Sequence, residues 1–188
     1  MDLDKIEALD VGVYSHFDQL LSSGLAELLK PAVYLSGYVA VGSLFFLSVL
    51  ILLLQGRRRS ALFAALAPAV AFAVLFGIRF LVPRRRPNNA GKWIEVTDLT
   101  GSYPAAGLFL FMVAVIVLGA ALWRISGIWL RFAYVMVAWT LTAYVCMAEL
   151  MLSLHFLTDI IGALVAAAAL GWIVVQCISE PLIDARLD

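Results

Sequence analysis

Two ionisable residues near the end of the sequence have a spacing that could support chemistry. His155 and Asp159 are four residues apart in a mostly apolar stretch. On one helix they would share a face, so the carboxylate could hold one imidazole nitrogen in place. An imidazole oriented in this way is a competent nucleophile or base. A buried polar pair that locks two helices together is the alternative, and the spacing leaves both interpretations open.

Other charged residues stand at the ends of apolar stretches. Arg79 and the run at residues 84–86 follow one such stretch, and Glu149 ends another. An ionisable side chain costs about 2.5–3.5 kcal/mol at the centre of a bilayer, so those near a membrane are candidates for function. Arginines there favour a phosphate ligand. For Arg84 and Arg85, however, the favoured interpretation is contact with lipid headgroups at the membrane surface.

The composition indicates that lipid is the solvent for much of this chain. Its 188 residues are 64% hydrophobic and 14% charged, compared with about 45–50% and about 25% in soluble domains. The mean hydropathy of the chain is +1.00. A soluble domain of this size leaves too much of its surface exposed to bury that many apolar side chains in one core. Thirteen basic and thirteen acidic residues cancel, which argues against a nucleic-acid partner.

The uncharged runs predict an all-α integral membrane protein with five transmembrane helices in one bundle, since about 20 helical residues cross a bilayer. These runs are residues 31–54, 61–78, 103–123, 132–148 and 160–179. Acids and leucines intermix in residues 1–30, which predicts an amphipathic segment on the membrane surface. We therefore expect three parts: the interfacial segment at 1–30, a five-helix membrane domain at 31–179, and a cytoplasmic tail at 180–188.

Five crossings would bring the charged residues together at one membrane face. Arginines that bind a ligand should not count toward topology, and the remaining basic residues then place the loop at residues 57–59 in the cytoplasm. We expect the cluster to face the periplasm or the exterior from a cell inner membrane.

Three motifs in this order resemble the type 2 phosphatidic-acid phosphatase superfamily, which includes the vanadium haloperoxidases. That family's motifs read K-x6-R-P, P-S-G-H and S-R-x5-H-x3-D. Here Arg79 and the Arg86-Pro87 pair correspond to the first, residues 104–107 to the second, and residues 148–159 to the third. The resemblance covers roughly residues 31–177 and implies the fold of a membrane lipid phosphatase.

The resemblance also implies roles for individual residues. In the family, the histidine of the third motif attacks phosphorus, its aspartate orients that histidine, and the histidine of the second motif protonates the leaving group. His155 and Asp159 occupy the first two positions. Arg79, in place of the family's lysine, and Arg86 would bind phosphate.

Three positions depart from the family's motifs. Pro104 is retained, but Ala105 replaces a serine, Gly107 replaces the proton-donating histidine, and Glu149 replaces an arginine. A missing general acid lowers a rate by about 10²–10⁴. A carboxylate in place of an arginine turns attraction for phosphate into repulsion, and a unit pair at 4 Å is worth about 4 kcal/mol at an effective dielectric of 20.

Glu149 allows three interpretations. It could form a buried ion pair with Arg79 and Arg86, in which case losing one partner would cost about 3–5 kcal/mol. It could instead receive the amine of a zwitterionic lipid. As a third possibility, it could join His155 and Asp159 in holding a divalent metal.

We predict a lipid-phosphatase-like protein that binds a lipid phosphate or diphosphate headgroup, or a partner, without normal hydrolysis and without a cofactor or metal. The predicted site residues are His155 and Asp159 at the catalytic positions, with Arg79, Arg86, Glu149, Pro104, Ala105 and Gly107 at the headgroup. One alternative is an active phosphatase or phosphotransferase on phosphatidic acid, phosphatidylglycerol phosphate or polyprenyl diphosphate, with a replaced acid. Another is an accessory subunit in a homo- or hetero-oligomer, suggested by the small residues Gly162, Ala166 and Gly171.

Overall fold

A computed structural model describes residues 3–88, 90, 92–94 and 101–179, and every regular element among these residues is an α-helix. The seven helices are α1 (Leu3–Leu20), α2 (Ser23–Leu35), α3 (Tyr38–Leu54), α4 (Arg58–Leu81), α5 (Ala106–Trp123), α6 (Ile128–Met151) and α7 (Leu157–Ser179). The tail predicted at 180–188 lies outside the described residues.

Four helices, α4 to α7, are each long and apolar enough to cross a membrane. Helices α2 and α3 pass the same test together, as a pair bent by 42°. The predicted all-α membrane fold is confirmed, with five crossings if the bent pair counts as one. Residue 31, where we expect the membrane domain to begin, lies inside α2.

The bend between α2 and α3 has a local cause. At the end of α2, the N–H of Ser36 donates to the carbonyl of Ala32 and the N–H of Gly37 donates to the carbonyl of Tyr34. Gly37 then starts α3 with extended dihedral angles. A serine followed by a glycine is a common place for a helix to change direction. The bend turns the Ser36 side chain into the bundle, where it is buried.

Helix α5 is the centre of the bundle. It carries no charged residue between Ala106 and Trp123 and packs against α3, α4, α6 and α7. A helix that is apolar on all sides needs neighbours on all sides, and α5 is more buried than the other single spans. Its first two residues belong to the second motif, so the central helix holds that motif against the start of α7.

The small residues proposed as an oligomer surface pack within the chain itself. A methyl group added at Gly162 would lie 2.5 Å from the ring of Tyr103, and one added at Gly171 would lie 2.6 Å from Cδ1 of Ile116. Ala166 is partly buried against the core. Intramolecular packing therefore accounts for all three residues.

Candidate functional site

The turn between α6 and α7 brings Glu149 and His155 together. The N–H groups of Leu154 and His155 donate to the carbonyl of Glu149 at 3.0 and 3.3 Å, which folds the chain back onto the last turn of α6. Ser153 in this turn has a positive φ of 60°. The Glu149 and His155 side chains therefore meet in the interior, where each is less than 5% exposed.

The imidazole of His155 has different partners at its two nitrogens. Nδ1 lies 3.3 Å from Oγ of Ser102 and 3.7 Å from Oδ2 of Asp159. Nε2 lies 3.0 Å from Nη1 of Arg86 and 3.4 Å from Oε2 of Glu149. Three other predicted site residues thus surround the ring of His155.

These contacts assign the proton on the neutral ring. A guanidinium can only donate, so the contact with Arg86 makes Nε2 an acceptor and leaves the proton on Nδ1. Nδ1 faces the Ser102 hydroxyl, which in turn donates to Oδ2 of Asp159. Ser102 therefore lies between the imidazole and the carboxylate expected to orient it. Sequence reasoning missed Ser102, for which the nearby second motif was the only signal.

The expectation that His155 and Asp159 share one face of a helix is wrong, because His155 lies in the turn before α7. The two side chains meet through capping of α7 instead. The carboxylate of Asp159 accepts the N–H of Phe156 at 2.9 Å, and Asp10 from α1 accepts the N–H of Thr158 at 3.1 Å. Carboxylates at a helix N-terminus satisfy its free N–H groups and complement its dipole.

Arg84 joins the two capping carboxylates. Its Nη2 donates to Asp10 at 2.6 Å and its Nη1 to Asp159 at 2.8 Å, and its guanidinium carbon lies 4.4 Å from the centre of the Phe156 ring. Burial alone would lower the pKa of Arg84, but its bonds and charge contacts with Asp10 and Asp159 raise it above the ordinary value. The guanidinium of Arg84 thus pairs with two acids of the protein, which differs from the predicted contact with lipid headgroups.

Asp10 is the second residue that sequence reasoning missed. It belongs to a helix whose many acids suggested a water-facing surface, yet it is fully buried. Its Oδ2 accepts from the Thr158 hydroxyl at 2.5 Å as well as from Arg84. Only the fold shows that α1 lies against the start of α7.

Among the described residues, no acid–base contact within 4 Å joins Glu149 to Arg79 or Arg86, so the ion-pair interpretation of Glu149 gains no support there. The turn directs its carboxylate toward His155 instead, and Ser36 donates to it at 3.4 Å. Arg79 is buried in the last turn of α4.

The same geometry argues against the metal interpretation. Glu149 approaches Nε2 of His155 and Asp159 approaches Nδ1, so the carboxylates lie at opposite edges of the ring and do not converge on one ion with it. In the part of the chain that the structure describes, no three histidine, cysteine or acidic side chains could hold a metal.

The second motif is tightly packed at the position of the family's histidine. A methyl group at Gly107 would lie 3.0 Å from Oγ and 3.2 Å from Cβ of Ser36, so a side chain at this position requires Ser36 to shift. Pro104 and Ala105 are also buried, and the N–H of Ala105 donates to the carbonyl of Asp159 at 3.2 Å. These residues fix the start of α5 against α7.

Comparison with known proteins supports this architecture. No family model matches the sequence, and no curated protein matches it either. The crystal structure of a transmembrane PAP2-type phosphatidylglycerolphosphate phosphatase from Bacillus subtilis matches with a TM-score of 0.79, over 92% of this chain and 85% of that one. The two chains share a fold. Their sequences are 15% identical, so the likeness concerns the PAP2 fold and not the chemistry of the site.

Proposed function

We propose that this chain is a PAP2-fold membrane protein that binds a lipid phosphate or diphosphate headgroup without hydrolysing it. The proposal rests chiefly on the Glu149 carboxylate, 3.4 Å from Nε2 of His155. Asp159 and Ser102 hold the other nitrogen, so Nε2 is the atom that would attack phosphorus. A carboxylate beside it repels the phosphoryl oxygens by about 4 kcal/mol at 4 Å and an effective dielectric of 20.

The absence of a proton donor at residue 107 supports the same proposal. Ser36 fills the space beside Gly107, and its own hydroxyl proton is shared between the Val33 carbonyl at 3.0 Å and Glu149 at 3.4 Å. Loss of a general acid lowers a rate by about 10²–10⁴. Attack on phosphorus and departure of the leaving group are therefore both impaired.

The headgroup would bind at the exposed edge of the cluster. Arg85 is exposed and Arg86 is partly exposed in the segment that follows α4. Arg86 also donates to the Leu154 carbonyl at 3.1 Å, which holds it beside His155. Guanidinium groups bind phosphate oxygens through paired hydrogen bonds. We further propose that this edge faces the exterior of a cell inner membrane.

The purified full-length protein in lipid nanodiscs should release no phosphate above the level of its His155→Ala variant. Phosphatidic acid, phosphatidylglycerol phosphate and polyprenyl diphosphate are the substrates to test by a phosphate-release assay. Release that His155→Ala abolishes would contradict the proposal. It would instead support an active phosphatase or phosphotransferase. The observation that favours this alternative is the alignment of His155, Ser102 and Asp159.

Headgroup binding can be measured separately from hydrolysis. Arg85→Gln should weaken retention of short-chain phosphatidic acid by about fivefold, because one basic side chain attracts an anionic lipid by about 1 kcal/mol. Native mass spectrometry of the protein in detergent gives the retained lipid. Arg59→Gln is the matched control, since Arg59 is also exposed but lies at the start of α4. Equal losses in both variants would rule out a specific headgroup site at Arg85.

A further inference from the structure

A cavity lies at the opposite end of the bundle from His155. It has a volume of about 630 Å³ between α5, α6 and α7. The His155 cluster lies where α5 begins, α6 ends and α7 begins, whereas this cavity is bounded by the later part of α5, the earlier part of α6 and the end of α7. The two sites therefore lie at opposite ends of the same three helices.

The cavity is an apolar groove whose length along α5 is close to the thickness of one leaflet. Its walls include Val115 and Ile116 of α5 and Val135, Ala138 and Trp139 of α6. Its lining on α5 extends from residue 112 to residue 123, about 16 Å at a rise of 1.5 Å per residue. One leaflet contributes about half of the 30 Å hydrocarbon core. Apolar walls offer water few hydrogen-bond partners, so in a bilayer an acyl chain is the natural occupant.

Two arginines stand at the end of this groove. Nη2 of Arg57 donates to the carbonyl of Ile178, and Nη2 of Arg124 donates to the carbonyl of Ser179 at 3.0 Å. Burial, and then the charge of Arg124, lower the pKa of Arg57. Neither arginine has an acidic partner within 4 Å among the described residues.

Within the described ranges, these carbonyls leave the charge of the two arginines uncompensated. A carbonyl carries no net charge, and each guanidinium has five N–H donors, so further donors remain for an anion. Arg131 adds positive charge, since its guanidinium carbon lies 4.9 Å from the ring of Trp123, which lines the groove. The groove therefore combines an apolar channel with positive charge at its end.

We propose that this groove binds one anionic phospholipid, with an acyl chain between α5 and α6 and its phosphate between Arg57 and Arg124. The apolar walls of the groove suit an acyl chain, and the two positive charges suit an anionic headgroup. This site is separate from the His155 cluster and does not depend on whether that cluster binds or hydrolyses a lipid.

Lipid retention by the full-length protein tests the headgroup part of the proposal. Native mass spectrometry should show one phosphatidylglycerol retained at least tenfold more strongly than phosphatidylcholine with the same acyl chains. Arg124→Gln should reduce this preference by about fivefold. Arg59→Gln removes an exposed charge near the same end of the bundle, outside the groove, and should leave the preference unchanged.

A groove-filling variant tests the acyl-chain part. Ala138→Phe should reduce retention of both lipids by at least fivefold, whereas Ala133→Phe should leave it unchanged, because Ala133 is exposed on α6 and does not line the groove. Thermal unfolding of each variant checks that it is folded. Equal retention of the two lipids, or equal effects of Arg124→Gln and Arg59→Gln, would overturn the proposal. So would full retention in a folded Ala138→Phe variant.

Discussion

Replacing Arg84 with alanine should lower the free energy of unfolding by about 3 kcal/mol. Its guanidinium is the shared partner of Asp10 and Asp159, at 2.6 and 2.8 Å, and both carboxylates are fully buried. Removing one side of a buried ion pair costs about 3–5 kcal/mol, because the remaining charge has no partner. The lower end of this range applies because a quarter of the Arg84 side chain is exposed and solvent screens part of the interaction.

The neighbouring residue provides the control for this prediction. Arg85 is exposed, so Arg85→Ala should change the stability by less than about 0.5 kcal/mol. Equilibrium unfolding of both variants in the same mixed micelles gives the comparison. Adding Asp10→Asn to Arg84→Ala should recover part of the loss, because one of the two unpaired charges is then removed. Similar losses for Arg84→Ala and Arg85→Ala would show that the buried ion pairs do not stabilise the fold.

The helical framework could be predicted because bilayer thickness restricts the length of an apolar helix. The run at residues 103–123 predicted the central span, and α5 occupies Ala106–Trp123, beginning shortly after Pro104. The bend at Ser36 could not be predicted in the same way. Hydropathy is continuous across it, and the bend depends on two capping bonds and on how the Ser36 side chain packs against Gly107.

The site could be predicted only where its residues are close in the sequence or match a motif. His155 and Asp159 are four residues apart, and this proximity survives although they do not share a helix. The contacts of Asp10 and Ser36 connect residues more than 100 positions apart. No local pattern indicates which of several acids or serines will be buried, because burial depends on which helices become neighbours.

Rebuilding the family's chemistry should produce the largest change in activity. We expect a variant carrying Ser36→Gly, Gly107→His and Glu149→Arg to release phosphate from phosphatidic acid at least about 10²-fold faster than the natural chain. The new histidine would supply the proton donor, worth about 10²–10⁴ in rate. The new arginine would replace repulsion beside Nε2 of His155 with attraction.

Ser36→Gly is the decisive member of this set. A side chain at residue 107 meets Oγ and Cβ of Ser36 at 3.0 and 3.2 Å, and Ser36→Gly removes both contacts. The third close contact of a side chain at residue 107, with the backbone oxygen of residue 36 at 3.2 Å, remains and requires a shift of a few tenths of an ångström. The double variant that keeps Ser36 is the matched control and should gain less activity, because its histidine must also displace the Ser36 side chain. Adding His155→Ala to the rebuilt chain should abolish the gain. A folded triple variant without phosphate release would show that the retained histidine and aspartate are not aligned for attack on phosphorus.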